Sequence, residues 1–188
     1  MKTLHWASHD LEMLPEPSDD KRYEIIEGEL QVSRQPNWQH QFVSLRLLMY
    51  LQTWSDQTHL GMANFAPGLI FAEDDDVAPD AIWISRQRLQ VALGEDGKLH
   101  TAPELVVEVL SPGSLNERRD RDLKLKLYSR RGVSEYWIID WRQRRIEVYR
   151  RADAALTLYS TLDENDALQS PLLPGFQCEV SQIFADVS

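Results

Sequence analysis

The sequence predicts a single α/β domain of mixed α+β character, a central mixed β-sheet flanked by helices. Three observations carry this. Short apolar, strand-like runs alternate with two long stretches of helical periodicity. The 188 residues are enough for one domain, residues 1–188, with its own core. A composition of 43% hydrophobic and 27% charged residues is ordinary for a globular protein in water.

The elements follow in order. Residues 1–22 are polar and proline-bearing, with Ser8 or Asp10 available to cap a short first helix. Residues 23–32 read as a hairpin turning at Glu27-Gly28, where glycine accepts a positive φ. Over residues 38–54, His40, Val43, Leu47, Leu51 and Trp54 recur on one helical stripe. Residues 68–72 form an apolar run, Glu73-Asp74-Asp75-Asp76 a solvated acidic turn, and residues 79–85 a strand. Residues 86–93 suit a short helix, and 94–97 a loop. Residues 104–110, β-branched and apolar on both faces, read as a buried strand ended by Ser111-Pro112-Gly113. A helix over 115–131 stops at Gly132. Residues 135–140 and 145–150 are strands about a basic turn, and 156–161 is another. The tail brings Pro174-Gly175-Phe176 and an apolar end at 180–184.

Charge and cysteine content exclude several classes. The lone Cys178 rules out an internal disulfide framework and a cysteine-based zinc cluster. The N-terminus lacks the long apolar core of a signal peptide, and no apolar run is long enough to span a bilayer. A cytoplasmic protein without membrane contact is expected. The net charge of −10 argues against a general nucleic-acid binder. Yet residues 115–151 hold 12 basic and 6 acidic residues, a basic segment on an acidic body. It reads either as a solvated helix and hairpin or as a phosphate-contacting surface.

Glu108 is the residue most out of place. A carboxylate inside a buried strand loses hydration and needs a metal ion, a basic partner or a proton. Asp80 opens the preceding strand. On the 115–131 helix, Asp120, Leu123, Lys124, Leu127 and Tyr128 share one face, which leaves Lys124 at the margin of the buried side. Lys126 points elsewhere, with Arg119 and Arg130. Two carboxylates and a lysine suit metal-assisted phosphodiester hydrolysis. Magnesium takes one or two protein carboxylates, and lysine stabilises transition-state charge. The plain reading beside it is a buried Glu108–Lys124 ion pair. His40 and Glu24 are further candidates; each also reads as an ordinary helix-face or strand residue. No Gly-x-Ser-x-Gly setting surrounds Ser111 or Ser114, and no glycine-rich phosphate loop is present.

Tyr23-Glu24-Ile25-Ile26-Glu27-Gly28-Glu29-Leu30, His40, Pro79-Asp80, Glu104-Leu105-Val106-Val107-Glu108-Val109-Leu110-Ser111-Pro112, Asp120, Lys124, Tyr128 and Gly132-Val133-Ser134-Glu135-Tyr136-Trp137 occur in that order. This series resembles the Uma-type restriction endonuclease family, formerly a domain of unknown function, in the PD-(D/E)XK nuclease superfamily. The resemblance runs from about residue 23 to 184. It implies a restriction-endonuclease-like core and a magnesium- or manganese-dependent site with Asp80 and Glu108 as metal ligands. The superfamily lysine two residues after the glutamate is replaced here by Leu110. The family's lysine falls on the following helix, at Lys124. Glu24 and His40 match family positions.

The expected activity is therefore magnesium-dependent endonucleolytic hydrolysis of phosphodiester bonds, in DNA. Asp80, Glu108 and Lys124 are its catalytic residues, with Glu24 and His40 as further candidates. Arg118, Arg119, Lys126 and Arg130 are expected on phosphates. Cutting both strands of a duplex takes two sites, which points to a homodimer. A non-catalytic nucleic-acid-binding or regulatory module on the same scaffold is the alternative, and a structural interaction protein a third.

Overall fold

The computed structural model of the protein describes residues 4–14 and 21–187. The extreme N-terminus and the polar stretch at 15–20 lie outside the described residues. Strands β1 (Lys21–Ile26), β2 (Glu29–Arg34), β4 (Leu69–Ala72) and β5 (Asp75–Val77) form a four-stranded sheet, in the order β2-β1-β5-β4. The larger, central sheet contains β3 (Gly61–Phe65), β6 (Ala81–Ser85), β7 (Leu105–Val109), β8 (Glu135–Asp140), β9 (Arg145–Ala152) and β10 (Ala155–Leu162). Its order is β10-β9-β8-β7-β6-β3. Strands β7 and β8 are parallel and the other neighbours antiparallel, so the sheet is mixed. Parallel neighbours need a crossover connection. Here it is the helical run from Ser114 to Arg131, the segment that carries Lys124.

Period-two alternation divides β7 between two cores. Leu105, Val107 and Val109 face helix α2 (Trp38–Thr58), where Val43, Leu47, Leu51 and Trp54 form the expected stripe. Val106 and Leu110 face the opposite core, with Leu127, Tyr128, Tyr136 and Ile138. Glu108 belongs by alternation to that second face. The remaining helices are short: α1 (Ser8–Met13), α3 (Arg86–Ala92) and α6 (Val180–Ile183). No helix among the described residues is long and apolar enough to cross a membrane.

Strand β3 lies outside the elements expected from the sequence, and three further elements differ from expectation. Helix α2 continues past Trp54 to Thr58. Its last turn is polar in sequence, but Ser55 and Thr58 donate their hydroxyls back to the Leu51 and Trp54 carbonyls. Trp83 Nε1 then donates to Ser55 Oγ, which anchors that turn on the sheet. The 115–131 helix is a composite of α4 (Ser114–Arg118), a π-helical segment (Arg119–Lys124) and α5 (Leu125–Arg131). The acidic run is a turn only at Glu73-Asp74; Asp75 and Asp76 are buried strand residues. Asp75 is held there because its two oxygens accept from the Glu27 amide and the Arg131 guanidinium.

The hairpin turns at Glu27-Gly28 as expected, with φ of 53° and 73°. Both central residues are left-handed, as a two-residue hairpin demands. Gly132 ends α5 in the same region, at φ 87°, with its amide donating to the Tyr128 carbonyl. Because α2 covers one face of β7, Leu47→Ala should cost about 2–5 kcal/mol in a urea titration. A loss under about 1 kcal/mol would mean that α2 is not docked as described.

Candidate active site

The β6–β7 register pairs Ala81 with Val107. One step further along it, Asp80 stands opposite Glu108. The Val109 amide donates to Asp80 Oδ2 at 2.8 Å, which ties the carboxylate to the strand carrying Glu108. Both acids are almost fully buried.

Lys124 meets them from the crossover. Its ammonium lies 2.8 Å from Glu108 Oε1 and 2.8 Å from Glu24 Oε1, so one cation bridges carboxylates from two sheets. Tyr128, one turn on, donates its hydroxyl to the same Glu108 oxygen at 2.9 Å. Glu24 also accepts from the Ala78 amide at 2.9 Å. The π-helical segment begins with Arg119 and Asp120 and ends at Lys124. Its wider turns, with i→i+5 hydrogen bonding, let Asp120 and Lys124 both point inward. Arg119 bonds Asp120 at 2.9 Å, and Tyr136 donates to the Asp120 carbonyl.

Asp80 has partners of its own. His40 Nε2 lies 3.0 Å from Oδ2 and Arg22 Nη1 3.2 Å from Oδ1. Arg22 also donates to the Ala78 carbonyl at 2.8 Å. The five candidate residues Glu24, His40, Asp80, Glu108 and Lys124 thus gather in one cluster. Sequence reasoning passed over Arg22 and gave Tyr128 no role. One signal for Arg22 was available: on β1 it alternates with Glu24, two residues apart on one face.

Buried charge sets the electrostatics. Glu24, Asp80, Glu108 and Asp120 face three permanent cations, Arg22, Arg119 and Lys124. Burial raises the Asp80 carboxyl, but His40, Arg22 and Lys124 outweigh burial and hold it well below the ordinary range. Burial likewise opposes Glu24, and Lys124 and Arg119 still lower it. Glu108 goes the other way. Burial pushes it up to about 8, Lys124 opposes, and Asp80, Asp120 and Glu24 add to the rise. Burial acts to lower Lys124, yet Glu108 and Glu24 raise it above its usual value. Near neutrality the bridge therefore holds an ammonium, an ionised Glu24 and a protonated Glu108.

The Uma2 family, described as "Putative restriction endonuclease", matches residues 8–181. The chain belongs to the Uma2 family. A crystal structure from Anabaena variabilis ATCC 29413, described as "a putative nuclease belonging to DUF820", shares the fold. Its TM-score is 0.73 at 17% identity, over 95% of this chain and 97% of that one. No curated protein matches the chain. Family and fold are those of restriction-endonuclease-like nucleases.

Such Uma2-type nucleases imply a divalent metal. Among the described residues no three His, Cys, Asp or Glu side chains form a ligand cage. Magnesium asks for less, one or two carboxylates with water completing the shell. Asp80 and Glu108 are hard oxygen donors in adjacent register and could hold it. The cluster's four carboxyls face three permanent cations, and a proton on Glu108 or a bound cation offsets the difference. The donor set therefore fits a cation.

The expected phosphate contacts in this Uma2 chain separate by exposure. Lys126 is exposed and has no partner among the described residues. Arg118 is open, with Asp122 at 3.9 Å. Arg119 is mostly buried against Asp120, and Arg130 pairs with Glu27. A cleft of about 350 Å³ lies over Arg119, lined also by Glu29, Gln31, Arg118 and Leu123.

An unfolded glutamate titrates at about 4.3, whereas folded Glu108 titrates at about 8. Between those values the folded state keeps a proton that the unfolded state has lost. The Glu108 contribution to stability therefore falls as pH rises through that window. The lowered Glu24 and Asp80 act at pH values below it, and the raised Lys124 above it. Urea titrations from about pH 5 to pH 8 should show wild type losing stability relative to Glu108→Gln. Parallel profiles would mean that Glu108 is ionised throughout.

Proposed function

We propose that the protein is a magnesium- or manganese-dependent endonuclease that hydrolyses phosphodiester bonds in DNA. The observation that carries this reading is Lys124, held between Glu24 and Glu108 beside Asp80, in a chain of a nuclease family. Asp80 and Glu108 would hold the metal ion. Such an ion polarises the phosphate and lowers the pKa of an attacking water.

Glu24 and Glu108 hold Lys124 above its usual pKa, so it stays protonated and serves as a fixed positive charge for the transition state and not as a base. Glu24 positions that ammonium. His40 and Arg22 orient Asp80, and Tyr128 orients Glu108; these are positioning residues. Lys126 and Arg118 are free enough to meet phosphates, whereas Arg119 and Arg130 must first exchange a carboxylate partner. Two copies of the chain would supply the two sites needed to cut both strands of a duplex.

One observation favours the non-catalytic alternative. Asp80, Glu108 and Glu24 already have basic partners, as in a self-contained buried ion-pair network. Cleavage decides between the two readings.

Millimolar magnesium or manganese should raise the melting temperature by a few degrees through linkage, and Asp80→Ala should abolish the rise. A melting curve that ignores both metals would count against the metal site. In a plasmid-nicking assay, Lys124→Ala should reduce cleavage by roughly a hundredfold or more while the metal-induced stabilisation persists. Arg118→Ala and Lys126→Ala should weaken DNA binding and flatten its salt dependence, since each lost phosphate contact releases fewer counterions. If wild type binds DNA with a clear salt slope and never cuts it, the binding-module reading is correct.

A further inference from the structure

A ladder of rings and charge runs along the outer face of α2. Trp38 and Phe42, one turn apart, stack with centroids 4.9 Å apart and planes 13° from parallel. The Arg46 guanidinium lies 5.1 Å from the Phe42 centroid and is held from outside by Asp186 at 2.8 Å. Trp38 is the open rung, 62% exposed. The core-facing stripe of α2 is made by other residues, so packing against the sheet does not require an indole here.

Its location adds to this. Trp38 and His40 lie on opposite sides of the first turn of α2, and His40 reaches Asp80. A helix with its side chains is about 10–12 Å across. Trp38 is therefore within reach of the nucleotides that flank a phosphate at the carboxylate cluster. A groove lies beside the N-terminus of α2, where Asn37 lines it. A cavity of about 540 Å³ is lined by Arg34, Gln35, Asn37, Ser111 and Asn116. It continues past Val32 and Asn116 into the cleft over Arg119, whose guanidinium bonds Asp120 inside the cluster. Arg34 is exposed and has no acidic partner among the described residues. The groove sets Arg34, Arg118 and Arg119 against Glu29, a basic lining on a chain of net charge −10.

We infer that Trp38 is a stacking platform for an unpaired nucleobase, and that the groove takes single-stranded or locally unpaired DNA in preference to fully paired duplex. This rests on the reading that the groove delivers DNA to the cluster. In a paired duplex both faces of each base are covered by its neighbours. An exposed indole next to a groove finds a free face only where a base is unstacked. The Phe42 ring and Arg46 fix the indole from behind, so stacking costs little side-chain freedom.

Fluorescence anisotropy with labelled oligothymidylate, and with a hairpin duplex of equal length, tests this. Wild type should bind the oligothymidylate more tightly than the duplex. Trp38→Ala should weaken oligothymidylate binding about tenfold or more and lower the ratio of single-strand to duplex affinity. Trp38→Phe should restore most of the loss, and an unaltered melting curve shows that Trp38→Ala is folded. Equal losses on both probes, no loss on either, or tighter wild-type binding to duplex would overturn the inference. A wild-type dimer that Trp38→Ala dissociates, with oligothymidylate affinity unchanged, would make this face a protein interface and overturn it as well. Plasmid nicking measured in parallel separates the two readings. If nicking never occurs but single-strand binding depends on Trp38, the nuclease reading falls and the platform stands. If nicking occurs and Trp38→Ala leaves the affinity ratio alone, the platform falls and the nuclease stands.

Discussion

A carboxylate removed from water must be answered inside the protein, and Glu108 is where this chain meets that demand. Its answer is shared. Lys124 supplies the cation, Tyr128 a hydroxyl hydrogen, and a proton covers the charge that remains. Each partner comes from the crossover that parallel β7 and β8 require. The same ammonium reaches Glu24 on the smaller sheet, so the cluster is also the joint between the two sheets. Removing one member would leave the others uncompensated in a low-dielectric site, which is costlier than any single bond in the set.

The segment with the excess of positive charge serves a different purpose from the one its composition suggests. Much of it is spent within the protein. Arg131 holds Asp75, Arg142 holds Glu117, Arg145 holds Asp163 and Arg150 holds Glu135. The first and third of these pairs tie the segment to the acidic body, and the other two lie within the segment itself. What is left for a ligand is narrow, chiefly Lys126, Arg118 and the unpaired Arg34.

Much of the cluster was legible in sequence because its members break local patterns. Glu108 interrupts a β-branched run, Asp80 precedes an apolar strand, and Lys124 falls on the apolar side of a helix count. Arg22 broke no pattern, since an arginine at the start of a polar hairpin is ordinary. Its meaning comes from Asp80, 58 residues away. Asp75 was hidden for the same reason: an acidic run beside a turn looks solvated until a partner 56 residues downstream is known. The π-helical segment could not be read at all. Over a single turn, its side-chain spacing differs too little from that of an α-helix to alter the hydrophobic pattern.

That segment makes the site tolerant of a change in chain length at one place. A π turn amounts to an α-helix that has accommodated an extra residue. Between Arg119 and Lys124 the chain has slack that a one-residue deletion could absorb by reverting to regular α-helix. In a regular α-helix such a deletion would rotate everything on one side by about 100°, whereas here the wide turn tightens and both flanks keep nearly their present facing. With one residue gone between them, Asp120 and Lys124 would stand three apart, a spacing that shares one face of an α-helix, and Leu127 and Tyr128 would stay with the lysine. A gene carrying such a deletion would encode a helix of better local geometry whose inward charges still face the cluster.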